Sequence, residues 1–433
     1  MANNTEHRVA ARRNPLTAAR GYSPSRAAAS RAERWLLERM YRAIGAPPLC
    51  LRLWDGTTAG VPQSDMRIEL RDRGALYRLL WHPNLAFGDL YSSGRLEIHG
   101  ELTRVLDSLI DHAGQPSGKG AARRRWLSRG RSLAGADPAA ARGNIHYHYD
   151  LGNAFYRLWL DGVAMQYTCA YFENPAFTLE QAQLAKLEHV CRKLRLEPGQ
   201  TVIEAGCGWG GLARYMARHY GVRVRAFNIS REQISHAREQ ARQQGIDDQV
   251  EFIEDDYRNI SGTCDRFVSV GMLEHVGKSN YEALAGVIGR CLQDEGIGLV
   301  HTIGRNRPAP LDPWIQKRIF PGAYVPGITE LMGMFESIPF SVLDVENLRL
   351  HYAQTLQHWL GRFREHREQV VAWYGEPFAR AWELYLAGSE ATFRHGGLQL
   401  FQVVFAWPGC NRVQRNRRHL YSDPVVPRED VTI

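Results

Sequence analysis

Two hydrophobic rhythms alternate along the chain between Gln200 and Gly304. Compact apolar runs at "QTVIEAG", "VRVRAFNIS", "QVEFIEDD", "CDRFVSVGM" and "GIGLVHTIG" read as strands. Between them "GGLARYMARHYG", "REQISHAREQARQQG" and "NYEALAGVIGRCLQ" carry apolar residues at helical spacing. Strands and helices in alternation predict a parallel sheet covered on both faces, an α/β fold. Two later runs, "FSVLDVENL" and "LQLFQVVFAW", are expected to complete the sheet after a long, mostly helical insertion rich in Trp and Tyr.

A different pattern precedes this region. From Arg34 to about Ala113 a helix at "AERWLLERMYRAIG", strands at "PLCLRLWDG" and "SDMRIELRD" and helical periodicity at "GALYRLLWH" suggest a small α+β module. The following "GQPSGKGAARRRWLSRGRSLAGADPAAARG" has no sustained period and reads as a mobile basic linker. The organisation expected is a disordered basic tail over 1–30, an α+β domain over 31–114, the linker over 115–143 and a catalytic domain over 144–433. The tail has almost no large apolar side chains with which to order itself, and its basic, acid-poor character also permits an organelle-targeting reading.

Composition narrows the function. A chain of 433 residues exceeds one ordinary core. A net charge of +8 and a pI near 9.2 favour a polyanionic partner, either nucleic acid or an anionic membrane face. Seven cysteines without CxxC pairs or zinc-type Cys/His spacing indicate reduced thiols in a cytoplasm and no metal site. No apolar run approaches the roughly 20 residues of a membrane helix, so a soluble or surface-bound protein is expected.

The candidate chemistry lies at strand ends. "SVGMLEHVG" reads as an apolar strand that stops at the ionisable pair Glu274 and His275, which by itself is as well explained by a solvated loop. In "VIEAGCGWGG" a buried strand runs into Gly206, Gly208, Gly210 and Gly211 and then into a helix, a form that serves a tight turn or a ligand. Glu204 beside that loop would repel a pyrophosphate but could hold an ammonium group. The second strand ends in "FNIS" without the acid that grips a dinucleotide ribose. S-adenosylmethionine fits better than a dinucleotide.

Six stretches in one order, "HYDLGNAFYRLWLD", "YTCAYF", "VIEAGCGWGGLARYMARHYGVRV", "NISREQ", "SVGMLEHVG" and "LVHTIG", closely resemble the cyclopropane-fatty-acyl-phospholipid synthases and the related mycolic acid cyclopropane synthases. The resemblance runs from about Asn144 to Tyr421, and the N-terminal module resembles the lipid-binding domain of the phospholipid enzymes. It implies a Rossmann-like class I S-adenosylmethionine-dependent methyltransferase domain beside that smaller domain. The family's reaction adds a methylene to a cis double bond of a phospholipid acyl chain through a carbocation, which a bound bicarbonate deprotonates to close a cyclopropane. Such a site needs an apolar slot that excludes water and a base above the new methyl.

By resemblance, Glu274, His301 and Tyr352 hold bicarbonate with the backbones near Cys169 and Ile303, Cys169 being positional and not a nucleophile. Glu274 would accept the anion's proton, while His301 and the Tyr352 hydroxyl would donate to its oxygens. His275 would orient the loop. For the cofactor the resemblance implies Tyr149, Glu204, Gly206 and Gly208, with Ile229 and Gln233 at the ribose and adenine and Asp256 and Tyr257 on the adenine side. "EDDY" departs from the mycolate enzymes, which have a Trp near Asp256. Taken singly, each of these side chains is as readily explained by packing or solvation.

Trp314 to Met334 is expected to wall the acyl slot or to be an ordinary packed loop, and Arg123, Arg124, Arg125, Arg129 and Arg131 to touch headgroups or to stay solvated. The partners expected are an unsaturated phospholipid bilayer at the inner membrane face and a second copy of the chain, with no nucleic acid. Three rival readings remain at this point: a fatty acyl methyltransferase giving a methyl-branched or methylene product, a catalytically silent lipid-binding protein, and a nucleic acid methyltransferase. The last normally carries a base-holding motif where this chain has "GMLEHVG".

Overall fold

The structure is a computed structural model that describes residues 27–114, 151–413 and 415–421. Most of the expected tail, the linker with its five arginines, and Tyr149 lie outside the described residues. The described residues divide into two compact units, the first comprising 27–114, 310–321 and 356–397, the second 151–309, 322–355, 398–413 and 415–421.

In the first unit a helix over Arg31–Ala43 is closed at its N-terminus by a capping box in which Ser30 and Glu33 bond each other's backbone. The sheet has order β2-β1-β3-β4, from β1 (Cys50–Leu53), β2 (Thr58–Gly60), β3 (Arg67–Leu70) and β4 (Leu96–His99). β1 and β3 are parallel, and the outer pairs are antiparallel. The strands expected at 48–56 and 64–72 are β1 and β3, whereas β2 and β4 were not expected from the sequence. Helices over Arg73–Trp81, the one expected at "GALYRLLWH", Pro83–Ser92 and Leu102–Gly114 complete the N-terminal part.

The helical insertion after Gly304 has a different place from the one its position in the chain suggests. The helix Glu376–Arg394 buries Phe378, Trp382, Leu386 and Phe393. Its Arg380 donates to the carbonyl of Tyr91 at 2.7 Å and pairs with Glu97 at 3.0 Å. Trp314 sits where a Cβ on Gly88 would fall, and Arg318 bonds both oxygens of Asp89. So 356–397 and 310–321 complete the first unit's core, and a single boundary near 115–143 does not describe the packing. An amphipathic period says that a face is buried, not against what.

The second unit is built on seven strands in the order β10-β11-β9-β8-β5-β6-β7. They are β5 (Thr201–Ala205), β6 (Arg223–Asn228), β7 (Val250–Glu254), β8 (Cys264–Val270), β9 (Leu292–Gly304), β10 (Ser341–Asn347) and β11 (Gln399–Ala406). β5 to β9 are mutually parallel, while β11 runs antiparallel between β9 and β10. Leu187, Met216 and Ile234 pack one face, and Leu284, Ile288, Leu331 and Phe335 the other. Truncating a wholly buried ring such as Phe267 would cost about 3–5 kcal/mol. This is the α/β sheet expected from the alternation, and it has the Rossmann-like form that the resemblance implies.

One local expectation is corrected. β8 ends at Val270, and Glu274 and His275 stand on a single helical turn, Leu273–Val276, instead of at a strand end. Gly271 takes φ +72° and ends the strand, and the Thr168 methyl lies 2.7 Å from where its Cβ would be.

Candidate active site

The glycines after β5 divide by what surrounds them. A Cβ on Gly206 would meet Met272 at 2.9 Å, on Gly210 the Phe252 ring at 2.5 Å, and on Gly211 the Ala164 carbonyl oxygen at 2.5 Å. These three allow close packing. Gly208, at φ +53°, has open space where its side chain would be, so it is the position at which a ligand can approach the backbone. Its carbonyl accepts from the Asn228 side-chain amide at 3.3 Å, and the same nitrogen donates to Gln233 at 2.7 Å. Asn228 thereby ties the loop to the next helix. The sequence reading noted only that no acid stood there.

Glu204 closes the base of this loop. Its carboxylate is buried, and its Oε2 has no hydrogen-bond partner among the described residues. Burial pushes its pKa up to about 8 against the opposing pull of Lys186 and Arg214. Lys186, absent from the sequence reading, is fully buried in the helix Leu179–Leu194 and donates to Gln166 and, at 3.0 Å, to the Thr168 hydroxyl. Burial draws its pKa down to about 8, opposed first by Asp161. Asp161 in turn accepts the Ala164 and Gln166 amides at 2.6 Å each. A lysine on a helix is ordinarily a solvated residue, so periodicity gave no cause to select it.

At the adenine end, Ile229 is half-buried and Gln233 is buried. Asp256 pairs through both oxygens with Arg258 at 2.8 Å each, so its acceptors serve an arginine. Tyr257, under that same guanidinium, has a buried hydroxyl without a hydrogen-bond partner.

Glu274 is bonded to β9 two residues beyond His301. Its Oε1 accepts the Ile303 amide at 2.6 Å, while Oε2 is buried without a hydrogen-bond partner among the described residues. Burial raises its pKa to about 7, against the Ile303 bond. The Ile303 N–H is thus taken by Glu274. His301 is fully buried, its Nδ1 lies 3.0 Å from the side-chain amide of Gln402, and burial holds its pKa well below the usual imidazole value. With the amide donating, the ring keeps its proton on Nε2 and can act as a donor. Gln402 stands opposite His301 in the β9–β11 register, a relation only the sheet creates. The His301 carbonyl accepts from Gly271, fixing the start of the turn that carries Glu274 and the half-buried His275.

Cys169 is fully buried, its thiol donates to the Ala170 carbonyl at 3.1 Å, and burial raises its pKa. It is a poor nucleophile in that state. Tyr352 is buried in the first turn of the helix Arg349–Glu365, and the Cys169 thiol also reaches the Leu348 carbonyl at 4.0 Å. Two groupings result: Glu274, Ile303 and His301 on one side, Cys169 and Tyr352 on the other. The Thr168 methyl against Gly271 spans them.

A family model for mycolic acid cyclopropane synthetase matches residues 137–403. A protein of Pseudomonas putida described as a probable fatty acid methyltransferase is 36% identical over 83% of this chain and 92% of its own. The cyclopropane-fatty-acyl-phospholipid synthase of Escherichia coli K12 is 44% identical over 60% of this chain and 66% of its own. A solved mycolic acid cyclopropane synthase, complexed with SAH and CTAB, superposes with a TM-score of 0.58 at 30% identity, covering 61% of this chain and 97% of that one. Sheet order, glycine loop and family match agree, and the chain belongs to the mycolic acid cyclopropane synthetase family, as an enzyme on a methyltransferase fold.

Proposed function

We propose that the chain transfers a methylene from S-adenosylmethionine to the cis double bond of unsaturated phospholipid acyl chains, giving a cyclopropane fatty acid, with bound bicarbonate as the proton acceptor. The observation that carries the reading is Glu274: one oxygen fixed by Ile303, the other buried and unpaired, two residues along β9 from a buried histidine. Such a carboxylate suits a small anion that brings its own proton.

The residues at β5 fit the cofactor. Glu204 offers an unpaired buried acceptor to an ammonium group, and Gly208 leaves room at the backbone. When bound, S-adenosylmethionine supplies an electrophilic methyl; SAH, present in the solved relative, is what remains after that methyl has left. Glu204 would hold the amino acid end, and Gln233, braced by Asn228, would face the ribose and adenine. Glu274 accepts the anion's hydroxyl proton, while His301 and Tyr352 donate to its oxygens. The proton lost at ring closure goes to that anion, and burial keeps water from trapping the cation.

The substrate on this reading is a bilayer engaged from its cytoplasmic face. The net charge of +8 suits an anionic lipid surface, and among the described residues no helix is long and apolar enough to cross a membrane. A homodimer is the assembly the resemblance suggests, and sedimentation tests it. One observation favours the second reading, a fatty acyl methyltransferase: the Pseudomonas putida relative spans more of this chain than the Escherichia coli synthase does. Incubation with unsaturated phospholipid vesicles and S-adenosylmethionine, followed by mass analysis of the acyl chains, tests both. A saturated methyl branch is two hydrogens heavier than the ring, and unchanged chains overturn the proposal.

A further inference from the structure

The backbone around Cys169 is irregular and joins no strand, so its position depends on what its amides meet. Three consecutive amides are held by other elements. Ala170 N–H donates to the Thr355 hydroxyl at 3.0 Å, Tyr171 N–H to the Ala182 carbonyl at 3.0 Å, and Phe172 N–H to His351 Nδ1 at 3.0 Å. Thr355 and His351 both lie on the helix that carries Tyr352, and the Thr355 hydroxyl donates back to the His351 carbonyl at 2.7 Å.

The clamp is braced from behind. The Tyr171 ring stacks on His351 at 4.8 Å and on His189 at 4.3 Å, with interplanar angles of 23° and 5°. His189 bonds Glu346 at 2.7 Å, and Lys193 bonds the same carboxylate oxygen at 2.6 Å. To accept the Phe172 amide, His351 Nδ1 must carry no proton. Burial holds its pKa below the ordinary value, Glu346 opposing and His189 reinforcing that shift.

We propose that Thr355 and His351 are positioning residues for the reaction, fixing the backbone beside Cys169 in register with the helical turn that bears Tyr352. The inference rests on the reading that Cys169 and Tyr352 form two sides of the anion cradle. Each is one residue from a clamp bond: Cys169 precedes Ala170, and Tyr352 follows His351. Neither Thr355 nor His351 needs to touch the substrate. A single amide-to-hydroxyl bond sets the spacing of two groups that must meet one small anion.

The experiment compares the full-length parent with Thr355→Val, Thr355→Ser and His351→Phe, using unsaturated phosphatidylglycerol vesicles and S-adenosylmethionine, together with amide exchange over 168–173. The valine keeps the shape and removes the acceptor, the serine restores it, and the phenylalanine keeps the stack on Tyr171 without Nδ1. Thr355→Val and His351→Phe should each lower kcat about tenfold, and Thr355→Ser no more than about twofold, with KM for S-adenosylmethionine unchanged. Amides 170 and 172 should exchange faster in the first two variants and not in the serine. Parental kcat in Thr355→Val, or an equal loss in valine and serine, overturns the inference. A parent without methyl transfer overturns the functional reading instead, and unchanged exchange at 170 and 172 would then overturn the clamp independently.

Discussion

One buried carboxylate lies in β5 and a second just beyond the neighbouring parallel strand β8, and their surroundings differ. Glu204, at the end of β5, has Lys186 and Arg214 among its influences, and both stabilise its charge. Glu274, beyond β8, receives only hydrogen bonds, chiefly from the Ile303 amide. Burial raises both pKa values, to about 8 and about 7. Each has one oxygen without a partner. The first is arranged so that an incoming cation completes a charged group; the second is arranged so that it can take or keep a proton. One fold thus builds a cation site and a proton site from the same side chain by changing what faces it.

The largest expected effect tests the proton side. Glu274→Gln keeps the shape and the Ile303 contact but cannot accept the anion's proton, so turnover should fall on the order of 100-fold or more while cofactor affinity stays within about twofold. Steady-state rates and calorimetry on the same preparations check this. Turnover near the parental rate with bicarbonate supplied would break the comparison.

Next is the cation side. Glu204→Gln should weaken S-adenosylmethionine binding on the order of 10- to 100-fold, with the rate at saturating cofactor changed much less. Equal affinity, measured by calorimetry, would mean that Glu204 is structural only.

A smaller effect should follow at Lys186. Lys186→Met removes the ammonium that supports Glu204 and leaves Gln166 and Thr168 without their donor. Cofactor affinity should fall about three- to tenfold, accompanied by lower stability, since breaking a buried charge partnership strands the remaining charge. A melting curve and a binding isotherm separate the two losses.

The smallest effect concerns pH and stability. Folded Glu274 keeps a proton up to about pH 7, whereas the unfolded chain releases it near 4.5, the ordinary carboxylate value. Between those values the folded state binds more protons, so this group's contribution to stability falls as pH rises through the window. Glutamine does not titrate. The melting temperature of Glu274→Gln relative to the parent should therefore increase by a few degrees, about 2–4 °C per kcal/mol, between pH 5 and 8. A constant difference would show that Glu274 is ionised throughout.

The hydrophobic period of the chain by itself determined the elements of the second unit: "TVIEA", "VRAFN" and "FVSV" are strands because their side chains must be buried, and the helices between them follow from spacing. The glycine loop and the acids flanking the strands were legible as residue types placed where an α/β sheet exposes strand ends. Tertiary structure alone decided the rest. It moved Glu274 onto a helical turn, because Gly271 leaves the extended backbone beside Thr168. It assigned the helices of 356–397 to the first unit, because a hydrophobic face does not name its partner. It put Gln402 against His301, Thr355 against the Ala170 amide, and Lys186 in a dry interior with Gln166 and Thr168. Those contacts join positions from 18 to 185 residues apart, and a hydrogen bond across such a separation is fixed only when the sheet register and helix packing bring its donor and acceptor together.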